Sequence, residues 1–266
     1  MTSCAGKKYL PERFSEDRRV SMILMASEQS ERIMNLIYDV FAGRWSGLVL
    51  IGMVVFSLIC QIRVKSTFSK YNLVRTVSGT TADMVARQIL DMNGLYNVQI
   101  MRVAGNLTDH FDPRTNTVAL SDSTFGNATV GAIGVAAHEC GHAIQYARGY
   151  TPIKIRQTLY PVVSFCSGAW FWILAIGFFL EWLFVIEVGI AFYTIVVIFQ
   201  LVTLPVEFDA SNRAIKTLGD NMILTGEELA GAKKTLGAAA MTYVASFLTS
   251  FVQLLRLVLR ASSRRR

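Results

Sequence analysis

Four long apolar stretches decide what this chain can fold into. They run from about Gly47 to Ile62, Tyr160 to Leu180, Val188 to Val206 and Leu236 to Leu255. A helix needs about 20 mostly apolar residues to cross the hydrocarbon core of a bilayer. The 266 residues are 52% hydrophobic and only 17% charged, too apolar for an ordinary soluble domain. Buried core helices are the competing explanation. The two middle stretches argue against it, being long, aromatic and almost free of charge. The first stretch is short. The fourth is less apolar but rich in Ala, Gly, Ser and Thr, which let membrane helices approach closely. The expected fold is mostly α: a polytopic membrane helix bundle of about four spans, with a small α+β unit at the membrane surface.

The net charge of +7 fits this fold. Basic residues flank the apolar stretches: Arg63, Lys65 and Lys70; Lys154 and Arg156; Lys233 and Lys234; Arg260 and Arg264 to Arg266. That pattern anchors helices at a membrane edge and attracts anionic lipid. The expected partner is therefore the lipid bilayer. No nucleic-acid motif accompanies the charge, so no nucleic-acid partner is expected. Cys4, Cys60, Cys140 and Cys166 form no C-x-x-C pair and no disulfide framework.

Composition divides the chain into a polar extension (1–44), a first span (45–62), a hydrophilic block (63–158), a helical hairpin of two spans (159–206), a short segment (207–235), a fourth span (236–260) and a basic tail (261–266). In the extension, Ile33, Leu36, Ile37, Val40 and Phe41 recur with helical period, which predicts a short amphipathic helix. Met22 and Met25 are alternative starts. In the hydrophilic block, Thr80 with Asp83 resembles a capping box before a helix reaching Gly94. Val98–Val103 and Thr117–Leu120 read as strands, with a polar loop over Asp109–Arg114 between them. A helix is predicted from Ala128 to Arg148. Glu181 and Glu187 bracket the turn of the hairpin and read as solvated turn residues.

The chemistry concentrates in the last helix of the block, at His138-Glu139-Cys140-Gly141-His142. Residues four apart on a helix share a face one turn apart, so both imidazoles can reach one zinc ion. Glu139 then projects beside the metal, placed to take a proton from water. With only three histidines in the chain, chance produces this motif in roughly one such sequence per thousand. Cys140 falls on the far side of the helix and is expected to pack.

A catalytic zinc usually has three protein ligands. His110 is the remaining histidine, and Asp109, Asp112, Asp122, Glu207, Asp209, Asp220, Glu227 and Glu228 are the carboxylates on the same side by parity. Glu207 stands out because it follows an apolar run and begins partly desolvated, which calls for a partner. Zinc would supply one. Pairing with Arg213, or capping a helix that starts after Pro205, would also satisfy it.

Four segments, Val64–Phe68, Thr108–Arg114, Ala136–Gln145 and Leu204–Ser211, resemble the YugP-type neutral zinc metallopeptidases in this order. The resemblance covers about residues 48 to 260. It implies a multi-pass bacterial cell-membrane protein with a zinc-peptidase unit and one Zn2+ ion. Its layout is similar to that of gluzincin peptidases, which implies His138, His142 and Glu207 as metal ligands and Glu139 as the catalytic residue. Many gluzincins carry an Asp four residues after the ligand Glu. Here Ser211 stands in that place, leaving Asp109 or Asp112 as carboxylates that could steady a histidine instead.

The implied activity is a zinc metalloendopeptidase acting on peptide or protein substrates, membrane proteins among them. Zinc would activate water and polarise the scissile carbonyl, with Glu139 as general base. The strand at Thr117–Leu120 could bind an extended substrate by β-addition or be a core strand. His110, Tyr146 and Arg213 are candidate oxyanion donors. The alternative is a non-proteolytic zinc-binding scaffold or chaperone factor; a transporter would usually carry charges or breaks within the spans. Four spans put both termini on one side and the zinc block on the other. The count of basic residues near span ends favours a cytoplasmic zinc site, against the terminal Arg cluster.

Overall fold

The computed structural model describes residues 29–264. Met22, Met25 and Cys4 lie outside them. Two compact units meet within one helix, at residue 49. In the first, helix α1 covers residues 29–41, and Ile33 and Leu36 are exposed on it. It ends where Gly43 N–H reaches back to the Tyr38 carbonyl at 2.7 Å. Ser46 Oγ then donates to the Gly43 carbonyl at 2.9 Å.

The second unit is mostly helical, and four of its helices are long and apolar enough to cross a membrane. They are α2 (Ser46–Tyr71), α5 (Thr151–Phe179), α6 (Leu183–Asp220) and α7 (Gly226–Arg264). Each outruns the apolar stretch that announced it, because nothing in the flanking polar sequence stops a helix. Helix α2 continues nine residues past Ile62 and carries Lys70 in its last turn, where a cation suits the helix dipole. Helix α6 runs unbroken through Pro205 to Asp220. No separate helix begins after Pro205, so Glu207 is not a capping residue.

Between α2 and α5 lies the surface unit: α3 (Ala82–Met92), β1 (Gln99–Val103), β2 (His110–Asp112), β3 (Thr117–Ser121) and α4 (Val130–Ala147). Two local expectations change here. Thr81 is the N-cap of α3 and makes no side-chain cap bond, while Asp83 accepts from Gly126 N–H at 3.0 Å. The carboxylate has a better-placed donor across the fold than in its own helix. The segment expected as a polar loop contains β2, which pairs antiparallel to β3, with Phe111 opposite Val118.

The sheet order is β1-β3-β2, with β3 parallel to β1. Central β3 is buried at every position and bonded on both edges. It is therefore a core strand and offers no free edge to a substrate. Its apolar residues join α3, α4 and the ends of α6 and α7 in one core built around Val85, Leu90, Leu120, Ile133 and Leu218.

Helix α4 is buried on nearly all faces and is rich in Ala and Gly. Thr129 caps it, accepting from Ala132 N–H at 3.4 Å. Cys140 packs as expected, with its thiol 3.6 Å from the Ala86 carbonyl. The small residues let backbones touch. A Cβ on Gly141 would sit 2.7 Å from the Ala210 carbonyl oxygen of α6. In the α5–α6 hairpin, a Cβ on Gly177 would meet Ile186 N at 2.8 Å, and one on Gly189 would meet Leu174 at 2.7 Å. Glu181 makes the tight turn with φ +52°, while Glu187 lies inside α6 and is half-buried.

Gly141→Val should therefore separate α4 from α6. Overpacking costs about 1–3 kcal/mol, so the variant should show a lower Tm in detergent. Metal retention should fall with it, because the same contact sets the distance between the two helices. Gly237, with open space around its Cβ position, serves as the control: Gly237→Ala should leave both readings near wild type.

Candidate active site

His138 and His142 share one face of α4, their rings edge-to-face with centroids 4.6 Å apart. Helix α6 crosses this face at the Gly141–Ala210 contact. Glu207, Ala210 and Ser211 are spaced i, i+3 and i+4 on α6, so one side of that helix meets the histidines. Glu207 Oε2 lies 3.3 Å from His138 Nε2 and 3.7 Å from His142 Nε2.

The other nitrogen of each ring is held. Gln145 Nε2 donates to the Val206 carbonyl and to Asp209 Oδ2, both at 2.8 Å. Its two amide hydrogens are thus used, and its Oε1 must accept from His142 Nδ1, 3.1 Å away. Ser211 Oγ stands 3.1 Å from His138 Nδ1, within hydrogen-bond reach, and its hydroxyl can take either role. A metal bound through both Nε2 atoms requires this arrangement, with each Nδ1 carrying the proton and each Nε2 lone pair turned to the carboxylate.

That carboxylate is 2% exposed, and its Oε2 has no hydrogen-bond donor. Two imidazole nitrogens and a buried carboxylate oxygen converge here, and lone pairs turned to one another repel unless a cation lies among them. Tetrahedral zinc with bonds of about 2.0–2.1 Å would set its ligand atoms roughly 3.3–3.4 Å apart, close to the distances here. The donor set therefore fits zinc. His138, His142 and Glu207 form the one such group among the described residues.

Arg156 of α5 donates from Nη1 to Glu207 Oε1 at 2.8 Å. It is the ion-pair partner of Glu207; Arg213 instead pairs with Asp209 at 2.5 Å. Asp209 thereby reaches His142 through Gln145. Ser211 and Gln145 fill the role considered for Asp109 and Asp112. Those two carboxylates serve elsewhere: Asp109 accepts from Ser121 N–H at 2.7 Å and Ser121 Oγ at 2.8 Å, and Asp112 pairs with Arg114. Asp122 is held by Arg102 and Gly105 N–H.

Glu139 is buried beside the histidines, and this burial pushes its carboxyl up to about 7, with the neighbouring His138 opposing the shift. A cavity of about 630 Å³ reaches it. One wall is Asp109–Arg114, including all of β2. The opposite wall comes from the long helices, with Gln157, Tyr160 and Pro161 on α5 and Tyr243 on α7. Of the donors expected from sequence, His110 and Tyr146 line the cavity, while Arg213 is not in its lining. His110 is outside the metal-ligand group, with Nδ1 2.9 Å from the Thr108 carbonyl. Sequence reasoning missed Arg156, which reads as one more membrane-edge cation, and Tyr243, which hides in an apolar span.

The family described as "Putative neutral zinc metallopeptidase" matches residues 46–262. The chain belongs to this YugP-type family. A relative in Bacillus subtilis (strain 168), described as "Putative membrane protease YugP", is 44% identical over 199 residues, covering 75% of this chain and 88% of the relative. No solved structure matches. Family and helices together make the chain a membrane protein of zinc-peptidase type.

Chelator titration followed by metal analysis should rank the site. Glu207→Ala should lose zinc at the lowest chelator concentration. Gln145→Leu should weaken retention by about 10- to 100-fold, the usual cost of removing a group that orients a ligand. Asp209→Ala, one bond further away, should cost less than Gln145→Leu.

Proposed function

We propose that this protein hydrolyses peptide bonds with one zinc ion held by His138, His142 and Glu207, and with Glu139 as general base. The carrying observation is the convergence of two imidazole nitrogens and one buried carboxylate oxygen beside a second carboxylate, Glu139, that lies outside this group and borders a cavity. A zinc ion held there would lower the pKa of water and polarise a carbonyl. Glu139 takes the proton of the attacking water on a carboxylate oxygen. It delivers that proton to the amide nitrogen as the C–N bond breaks, so the amine leaves neutral. Arg156 holds Glu207 in place through its 2.8 Å hydrogen bond. Gln145 fixes the His142 tautomer, Ser211 orients the His138 ring, and Arg213 with Asp209 fixes Gln145.

Substrate recognition falls to β2. It has a strand partner on one edge only and borders the cavity, so an extended peptide can add there. The opposite wall belongs to helices of membrane-spanning length. Pro161 has no N–H to give the Gln157 carbonyl, which leaves that acceptor available beside the cavity. Such a cleft suits a segment of a membrane protein emerging from the bilayer. A non-proteolytic scaffold would have no use for Glu139 there.

The Glu139→Gln variant should keep its zinc and lose activity on a membrane-protein substrate by about 10²–10⁴-fold, the range for a general base. Cleavage near the wild-type rate would remove Glu139 from the mechanism.

We infer a cytoplasmic zinc side from the larger count of basic residues at its span ends, against the terminal Arg cluster on the other side. Cysteine introduced at position 122 in a Cys4→Ser background should resist membrane-impermeant maleimide in intact cells and react after lysis. Labelling of intact cells at that position reverses the orientation and leaves the zinc chemistry unchanged.

A further inference from the structure

Away from the zinc site, α2 and α7 part to leave a second cavity of about 390 Å³ at their ends on the zinc side. Arg63, Thr67 and Lys70 line it from α2, at i, i+4 and i+7. Lys234, Gly237 and Met241 line it from α7, at i, i+3 and i+7. One face of each helix is therefore turned to the same space. Above it the helices close, where the Tyr71 ring lies against Gly231 so tightly that a Cβ there would sit 2.6 Å away. Below it they meet again through Ser57 Oγ and Thr249 Oγ1, 3.1 Å apart.

Three cations face this space, and no carboxylate lies in its lining. Helix α2 has no acidic residue along its whole length. Among the described residues, none of Arg63, Lys70 and Lys234 forms an ion pair; Lys70 lies 5.5 Å from the Tyr71 ring centroid. Like charges brought together without counter-charge repel, so the arrangement suits an anion. Its position narrows the choice. The cations sit at the boundary of two bilayer-crossing helices, and below them α2 shows Ile62, Ile59 and Leu58 to its surroundings. A free anion would use the cations alone. A phospholipid would use both, with its phosphate among the cations and its chains along the apolar face of α2.

We propose that this cleft binds the headgroup of an anionic phospholipid, with Arg63, Lys70 and Lys234 on the phosphate and Gly237 keeping the floor open. Basic pockets between membrane helices are suited to this role. The bound lipid would bridge the two helices next to the start of α4. Asn72, just beyond the cleft, accepts from Thr129 Oγ1 at 2.7 Å, and Thr129 caps the helix that carries the histidines.

The test uses the full-length protein reconstituted in vesicles of equal phosphatidylglycerol and phosphatidylcholine, then extracted and measured by native mass spectrometry. One phosphatidylglycerol should be retained in preference to phosphatidylcholine. Arg63→Gln, Lys70→Gln and Lys234→Gln should each weaken retention roughly fivefold, the share of one cation near a membrane surface. Gly237→Leu fills the cavity without altering charge and should displace the lipid. Lys65→Gln and Lys233→Gln, on the same helices but outside the cavity, should retain it. Equal retention of both lipids overturns the proposal, as does equal loss in the Lys65 and Lys233 variants. Displacement of the lipid by millimolar inorganic phosphate assigns the cleft to a small free anion and overturns the lipid as well.

Discussion

A carboxylate buried in an apolar helix crossing is the constraint around which this protein is organised. Glu207 is 2% exposed, and a charge so buried is tolerated only when paired and hydrogen-bonded. One oxygen takes Arg156 from α5. The other faces two imidazoles of α4. Each of those contacts needs helices brought to backbone distance, which explains the glycine at position 141 and the alanine at 210. The imidazoles in turn need their far nitrogens held, which explains Gln145 and Ser211. A chain of dependence therefore runs from one acidic side chain to the packing of three helices.

What the sequence disclosed, and what it hid, follows from the range of each interaction. The histidine pair was legible because helical period is local: residues 138 and 142 must share a face whatever surrounds them. The four long helices were legible from apolar length. Glu207 was conspicuous because it follows an apolar run, though position alone could not choose between Arg213 and a metal as its partner. The structure supplies a third answer for the other oxygen, Arg156, 51 residues away in sequence.

The misses share a cause. Strand β2 is three residues long with a single apolar residue, Phe111, too short for the alternation that marks a strand to stand out; it exists because β3 offers it an edge. Pro205 reads as a helix breaker, yet α6 runs through it, since tertiary packing outweighs one lost hydrogen bond. The expected capping role of Asp83 yielded to Gly126 N–H from another segment. Ser211 read as a missing carboxylate, but a hydroxyl meets the same demand of the His138 ring. In each case the deciding partner lies far away along the chain.

The unbroken run of α6 makes it a lever. At about 1.5 Å per residue, Glu207 stands about 36 Å from the start of the helix at the hairpin turn. Swinging that rod by a single degree about its far end would carry the carboxylate about 0.6 Å, whereas metal sites hold their ligands within about 0.2 Å. The tight glycine contacts at 177 and 189, at the opposite end from the chemistry, thus act as the bearing of a precision instrument. Any thinning of the surrounding lipid that tilts α6 would be felt first as detuning of the ligand sphere.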